Sequence, residues 1–172
     1  MKTMLKSIDF YVLVALLALP RRGAWTQACF ADQIGLAQPA LTRSLQRLAH
    51  ADLWNRKERR VDIPGAEGLL VHAARFLIPP QLGQATRGFP TAHSAPPLAS
   101  MILANSTIVW PDDEGGHMGT ALEPLHPSAP GAARANPRLH ELLALVDALR
   151  VGRARERTLA VRLLHDRLVE DS

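Results

Sequence analysis

Ten consecutive uncharged residues, FYVLVALLAL at positions 10–19, constrain this chain more than any other stretch. Asp9 precedes them and Pro20 follows. Proline disfavours helical backbone in the residue before it, so the pattern predicts a helix over residues 7–19. That helix is apolar on nearly every side, has no face to give to water, and belongs in a domain core or a dimer interface. With Lys2 and Lys6 ahead of it, the run has the outline of a secretion signal. Asp9 at its start, Arg21 and Arg22 directly after it, and the lack of a small-x-small cleavage site oppose that reading. The run is also too short to cross a bilayer, which takes about 20 apolar residues.

Hydrophobic residues make up 47% of the 172, enough for a packed core and against wholesale disorder. The length fits one ordinary domain or two small ones. Cys29 is the only cysteine, which excludes an intrachain disulfide and a Cys-rich zinc site and fits a reducing, cytoplasmic setting. The net charge of +4 is unevenly spread. Residues 1–75 hold 11 basic and 6 acidic groups (+5), residues 76–136 hold 2 and 4 (−2), and residues 137–172 hold 7 and 6 (+1). A polyanion would therefore be drawn to the N-terminal part.

A second strong pattern coincides with that basic excess. Thr26 is placed to cap a helix from residue 27 to about residue 34, with Gly35 ending it. A third helix starts at Ala37 or Gln38, with Pro39 near its first position, where a missing N–H costs nothing. Leu41, Leu45 and Leu48 fall at helical spacing and face inward, and Ala31 and Ile34 pack against Leu41 and Leu45 to fix the crossing. Asp52 closes this helix in the left-handed conformation, which Asp tolerates. Helix, glycine turn, helix is the pattern of a helix-turn-helix. It leaves Gln38, Ala40, Thr42, Arg43, Gln46 and Arg47 outward, with the N-terminal end suited to a major groove. Gln can read adenine and Arg guanine, or either can rest on phosphate, and Ala40 is small enough to permit close approach. The plain alternative is a polar face that is only solvated. The turn spacing, the early proline, the arginine pair and the following segment NRKERRVD together favour DNA. That segment places Arg56, Lys57, Arg59 and Arg60 where a winged helix carries its wing, for contact with phosphate or the minor groove.

Further along, a helix is expected from Pro64 to about Phe76, burying Leu69, Leu70 and Ala73. Residues 79–137 hold most of the prolines and several glycines, with little periodicity; Phe89, Met101, Ile102, Val109 and Trp110 mark them as an irregular packed region rather than a linker. Residues 108–110 and 119–122 are expected to pair as a short hairpin around the acidic turn DDEGG. Asn136-Pro137 announces another helix, with Leu139, Leu142, Val146 and Leu149 on one face. Gly152 interrupts it, and a last helix over residues 153–169 carries Leu159, Leu163 and Leu164 inward. These patterns divide the chain at residues 1–76, 77–136 and 137–172.

The stretch WTQACFADQIGLAQPALTRSLQRLAHADLW resembles the helix-turn-helix and wing entry of bacterial MarR-like winged-helix transcriptional regulators, over about residues 7–75. The segments GFPTAHSAPPLAS, VWPDDEGG, ALEPLHPSAP and LHELLALVDALRVGRARER resemble the C-terminal part of a group of proteobacterial proteins carrying such an N-terminal winged helix. The resemblance implies a DNA-binding regulator and brings no ligand or catalytic residue. The chain departs from the group in having Asp52 where glycine is usual, and Ala73-Ala74 before Arg75 where the group tends to have His-Gly.

Other chemistry finds little support. The seven histidines form no HExxH and no paired spacing with Cys29. His117 and His126 flank the expected hairpin near Asp112, Asp113 and Glu114, where a solvated acidic turn is the simpler reading than a metal site. No GxSxG, GxxxxGK[ST] or GxGxxG occurs. The charged tract VGRARER could bind phosphate but reads more simply as a charged helix start, and the central region could enclose a small effector between Trp110, Phe89 and the terminal helices. The expectation is a mainly α protein: an N-terminal winged helix-turn-helix followed by an α-rich region with a small β element. It has no catalytic, cofactor or metal site. It binds double-stranded DNA, forms a homodimer through the first helix and the last two, and regulates transcription in the cytoplasm. The competing class is a protein-interaction adaptor or antitoxin-like partner on the same fold.

Overall fold

The computed structural model describes residues 4–20 and 23–170; Lys2, Arg21 and Arg22, which flank the first apolar run, lie outside the described residues. The chain is mainly α, with eight α-helices and five short strands among the described residues. The N-terminal elements are α1 (Ser7–Ala18), α2 (Gln27–Gln33), α3 (Gln38–His50), β1 (Trp54–Asn55), β2 (Arg60–Val61) and α4 (Ile63–His72). They are followed by α5 (Ala74–Leu77), β3 (Leu82–Pro90), β4 (Ile108–Pro111), β5 (His117–Leu122), α6 (Ala129–Ala135), α7 (Pro137–Val151) and α8 (Ala154–Val169). No helix among the described residues is long and apolar enough to cross a membrane.

Two helices sit at the centre. Every residue of α1 from Asp9 to Ala18 is buried, and its neighbours are α3, α7 and β2 of the same chain. Helix α7 was expected to bury one face, yet all of residues 142–150 are buried, because α1, α4, α5, α6 and α8 pack around it. Two charges go in with it. The Asp147 carboxylate accepts from Thr91 Oγ1 at 2.6 Å, Trp110 Nε1 at 2.7 Å and Arg150 Nη1 at 2.8 Å, and Arg150 Nε donates to the Ile78 carbonyl at 2.9 Å. Burial pushes the Asp147 carboxyl up, opposed by Arg150 and by the bonds from Thr91 and Trp110. A buried charge left without such partners would cost several kcal/mol, about 3–5, so this set is all or nothing.

The local signals around α2 and α3 act as expected. Thr26 Oγ1 accepts from the Cys29 N–H at 3.1 Å, Gly35 takes φ +66°, and Asp52 takes φ +57° after α3. Leu41, Leu45 and Leu48 are buried.

Three expectations need correction. The helix after Pro64 is two pieces, broken at Ala73 (φ −117°), and its buried stripe is Ala66, Leu70 and Ala74 rather than Leu69, Leu70 and Ala73. Residues 77–136 are not irregular throughout, since β3 runs nine residues despite Gly83, Gly88 and Pro90. Residues 108–110 and 119–122 do meet, but not as an antiparallel hairpin. The two ends of β3 pair antiparallel with β4 (Phe89↔Trp110) and with β5 (Ala85↔Thr120), which leaves β4 and β5 parallel where Ile108 faces Thr120 and the three strands close a small barrel. Gly88 permits this closure, because a Cβ there would collide with the Trp110 backbone. Such pairing depends on partners distant in sequence, so local alternation could not reveal it.

The N-terminal elements and the rest are joined at the α2–α3 turn. Tyr11 Oη donates to the Ile34 carbonyl at 2.9 Å, and Ser128 Oγ donates to the Gly35 carbonyl at 2.8 Å. His126 stacks on Tyr11 at 5.3 Å, and its Nδ1 accepts from the Ser128 N–H at 3.1 Å.

Candidate nucleic-acid interface

Helix α3 presents a polar stripe because its leucines point the other way into the core. Gln38, Arg43 and Gln46 are exposed on it. Ala40 and Thr42 are half-buried on its flanks, and the Thr42 hydroxyl bonds the Gln38 carbonyl (3.0 Å) and the Gln27 side-chain oxygen (3.3 Å), which links α3 to α2.

Arg47 departs from the expected outward set. Its Nε and Nη2 each reach the Asp9 carboxylate at 2.8 Å, a two-pronged pair that Ser44 Oγ joins at 2.6 Å. Asp9 is completely buried and the Arg47 side chain is 15% exposed, so this guanidinium fastens α3 to α1 instead of standing free. The bond to Asp9 holds the Arg47 guanidinium even more firmly protonated than usual. The signal was present in the sequence: a lone carboxylate opening an apolar run needs a cationic partner when the run is buried.

Strands β1 and β2 form a minimal hairpin with Trp54 opposite Val61 and Asn55 opposite Arg60. Asn55 Oδ1 accepts from the N–H groups of Lys57 and Glu58, both at 3.0 Å, and holds the tip. Arg56, Lys57, Arg59 and Arg60 are all exposed there. Arg59 is also engaged: at φ +52° it turns back, donates to the Trp25 carbonyl at 2.8 Å and lies 4.2 Å over the Trp25 ring. Trp25 in turn packs against Phe30 and Trp54, so the hairpin is pinned to the segment leading into α2. This docking had no local signature, because Trp25 and Arg59 are distant in sequence.

Between α3 and the hairpin lies an open cleft of about 1360 Å³. Its cations are Arg43 and Arg47 from α3, Arg56, Lys57 and Arg60 from the hairpin, and Lys6 from ahead of α1; its acids are Asp52, Glu58 and Asp62. Asp62 already caps α4 by accepting from the Gly65 N–H at 3.0 Å. The cleft is thus a positively charged trough with a polar helix as one wall, suited to a chain of phosphates. Gln38, Ala40 and Thr42 are not among its lining residues; they lie on the N-terminal half of the same helix.

The other candidate sites are filled by the protein. Trp110 is buried against Asp147, and Phe89 stacks on His140 at 4.5 Å, so side chains occupy the space between the barrel and α7 where an effector had room in the sequence reading. The acidic turn is not merely solvated, since Arg134 pairs with both Asp112 and Glu114. Among the described residues, no three His, Cys, Asp or Glu side chains come together where a metal ion could be held. No protein-family model, curated protein or solved structure matches the chain.

Proposed function

We propose that this protein is a sequence-specific regulator that binds double-stranded DNA through a winged helix-turn-helix formed by α1–α4 and the β1–β2 hairpin. The observation that carries the reading is the cationic cleft joined to a helix whose exposed side chains include Gln38, Arg43 and Gln46. Glutamine and arginine suit base edges, and the hairpin cations Arg56, Lys57 and Arg60 suit the phosphate backbone. In this reading α3 enters the major groove and the hairpin lies along the adjacent backbone. Arg47 serves as an anchor for α3 and Arg59 as an anchor for the hairpin. Action in the cytoplasm and as a homodimer belongs to the same proposal. Because α1 and α7 are covered within one chain, the dimer surface would have to come from α8 or from elements outside the expected set.

Fluorescence anisotropy tests this, using a labelled duplex from the DNA upstream of the protein's own reading frame, a scrambled duplex, and a series of salt concentrations. Binding that prefers the native duplex and weakens with a log–log slope of about −0.9 per neutralised phosphate supports the proposal. Arg43→Ala is expected to remove most of the preference, about 1–3 kcal/mol if Arg43 makes a two-pronged base contact. A protein-interaction module is the second reading, favoured by Phe76 and Leu77, which are 68% and 61% exposed on α5. It predicts no duplex binding and partner capture that salt does not weaken.

A further inference from the structure

The cleft has a wall that the helix-turn-helix pattern does not supply. Lys6 and Met4 precede α1, and both line the cleft. The Lys6 backbone is held by one carboxylate. Asp9 Oδ2 accepts from the Lys6 backbone N–H at 2.7 Å and from Arg47 Nε at 2.8 Å, so the segment ahead of α1 and the last turn of α3 are held by the same buried oxygen. Arg47 spends its charge on Asp9. Lys6 does not: its side chain is exposed, and none of the ion pairs among the described residues involves it.

We infer that Lys6 is a phosphate contact of the nucleic-acid site, set in register with α3 by the Asp9 clasp, so that it adds to the cations of α3 and the hairpin along the backbone strand lying in the cleft. The inference rests on the DNA reading above. A cation mounted beside the recognition helix, rather than on a base-facing turn, adds affinity without sequence information. Its effect belongs in the salt dependence and not in the preference between duplexes.

The test uses the full chain, the same two duplexes and three proteins: unaltered, Lys6→Gln and Lys6→Arg. Lys6→Gln is expected to weaken binding to the native and scrambled duplexes by the same factor and to reduce the magnitude of the salt slope by about 0.9, the share of one phosphate. Lys6→Arg is expected to keep the unaltered slope. The side chain is exposed, so circular dichroism should show all three equally folded. An unchanged slope in Lys6→Gln, with the unaltered protein still binding the duplex, overturns this inference and leaves the DNA reading standing. A change in preference rather than slope also overturns it. Failure of the unaltered protein to bind either duplex overturns the DNA reading and this inference together.

Discussion

His126 and His140 show how burial sets the chemistry of single residues here. Each is pushed below the ordinary imidazole value of 6.5, chiefly because burial disfavours the cation. For His140, the Pro90 carbonyl at 2.8 Å and the nearby Glu141 and Asp147 oppose the shift without reversing it. In the unfolded chain both rings take up protons near 6.5; in the folded chain they do so only at lower pH. Over that interval the unfolded state binds more protons, so their contribution to stability is full above 6.5 and declines as pH falls toward the folded values. Two-dimensional NMR titration should show both imidazoles with midpoints below 6.5, and His140→Gln should flatten part of the fall in denaturation midpoint on acidification. An imidazole midpoint above 6.5 for either ring would contradict the packing described for it.

At the scale of elements, the α2–α3 turn carries the most consequence. Gly35 is left-handed, and a Cβ added there would meet Ser128 Cβ at 2.9 Å. Backbone strain and the clash act together, so Gly35→Ala is expected to destabilise the protein by about 1–3 kcal/mol in urea unfolding. Under the proposed function, the same change should weaken duplex binding under conditions where the variant is still folded, because Ser128 and Tyr11 hold the α2–α3 turn. Asp52 is also left-handed and exposed, and Asp tolerates that conformation. Much of this element was legible beforehand: the Thr26 cap, the glycine turn, the leucine stripe and the Asp52 closure all follow from rules acting within a few residues. The anchoring of Arg59 was not, and Asp9 announced its need for a cation without naming Arg47, because each partner comes from a different element.

On the scale of the molecule, the first 76 residues do not own their core. Helix α1 buries one side against α7, and residues 125–128 grip the first helix and the turn through Ser7, Tyr11 and Gly35. Removing residues 77–172 would expose the α7-facing side of a helix that carries no charge from Phe10 to Ala18. A fragment of residues 1–76 is therefore expected to aggregate or to show little cooperative thermal unfolding by circular dichroism, whereas the full chain should melt in one transition. A soluble fragment with its own sharp transition would show that the N-terminal elements are an independent domain, as the composition boundaries suggest.

The sequence by itself determined α1, α2, α3, α7 and α8, the Thr26 and Asn136 caps and the exposed polar stripe of α3, because capping, proline geometry and hydrophobic periodicity act over three or four residues. It also determined that the 10–19 run must be buried and that the N-terminal part carries the positive charge. Only the tertiary structure decided that the run is covered within one chain, that β3 organises a small barrel, and that Asp9 withdraws Arg47 from the surface while presenting Lys6 beside it. Those outcomes depend on which distant groups meet in a low-dielectric interior, where an unpaired carboxylate or an unpaired strand edge cannot be left, and local patterns do not name the partner.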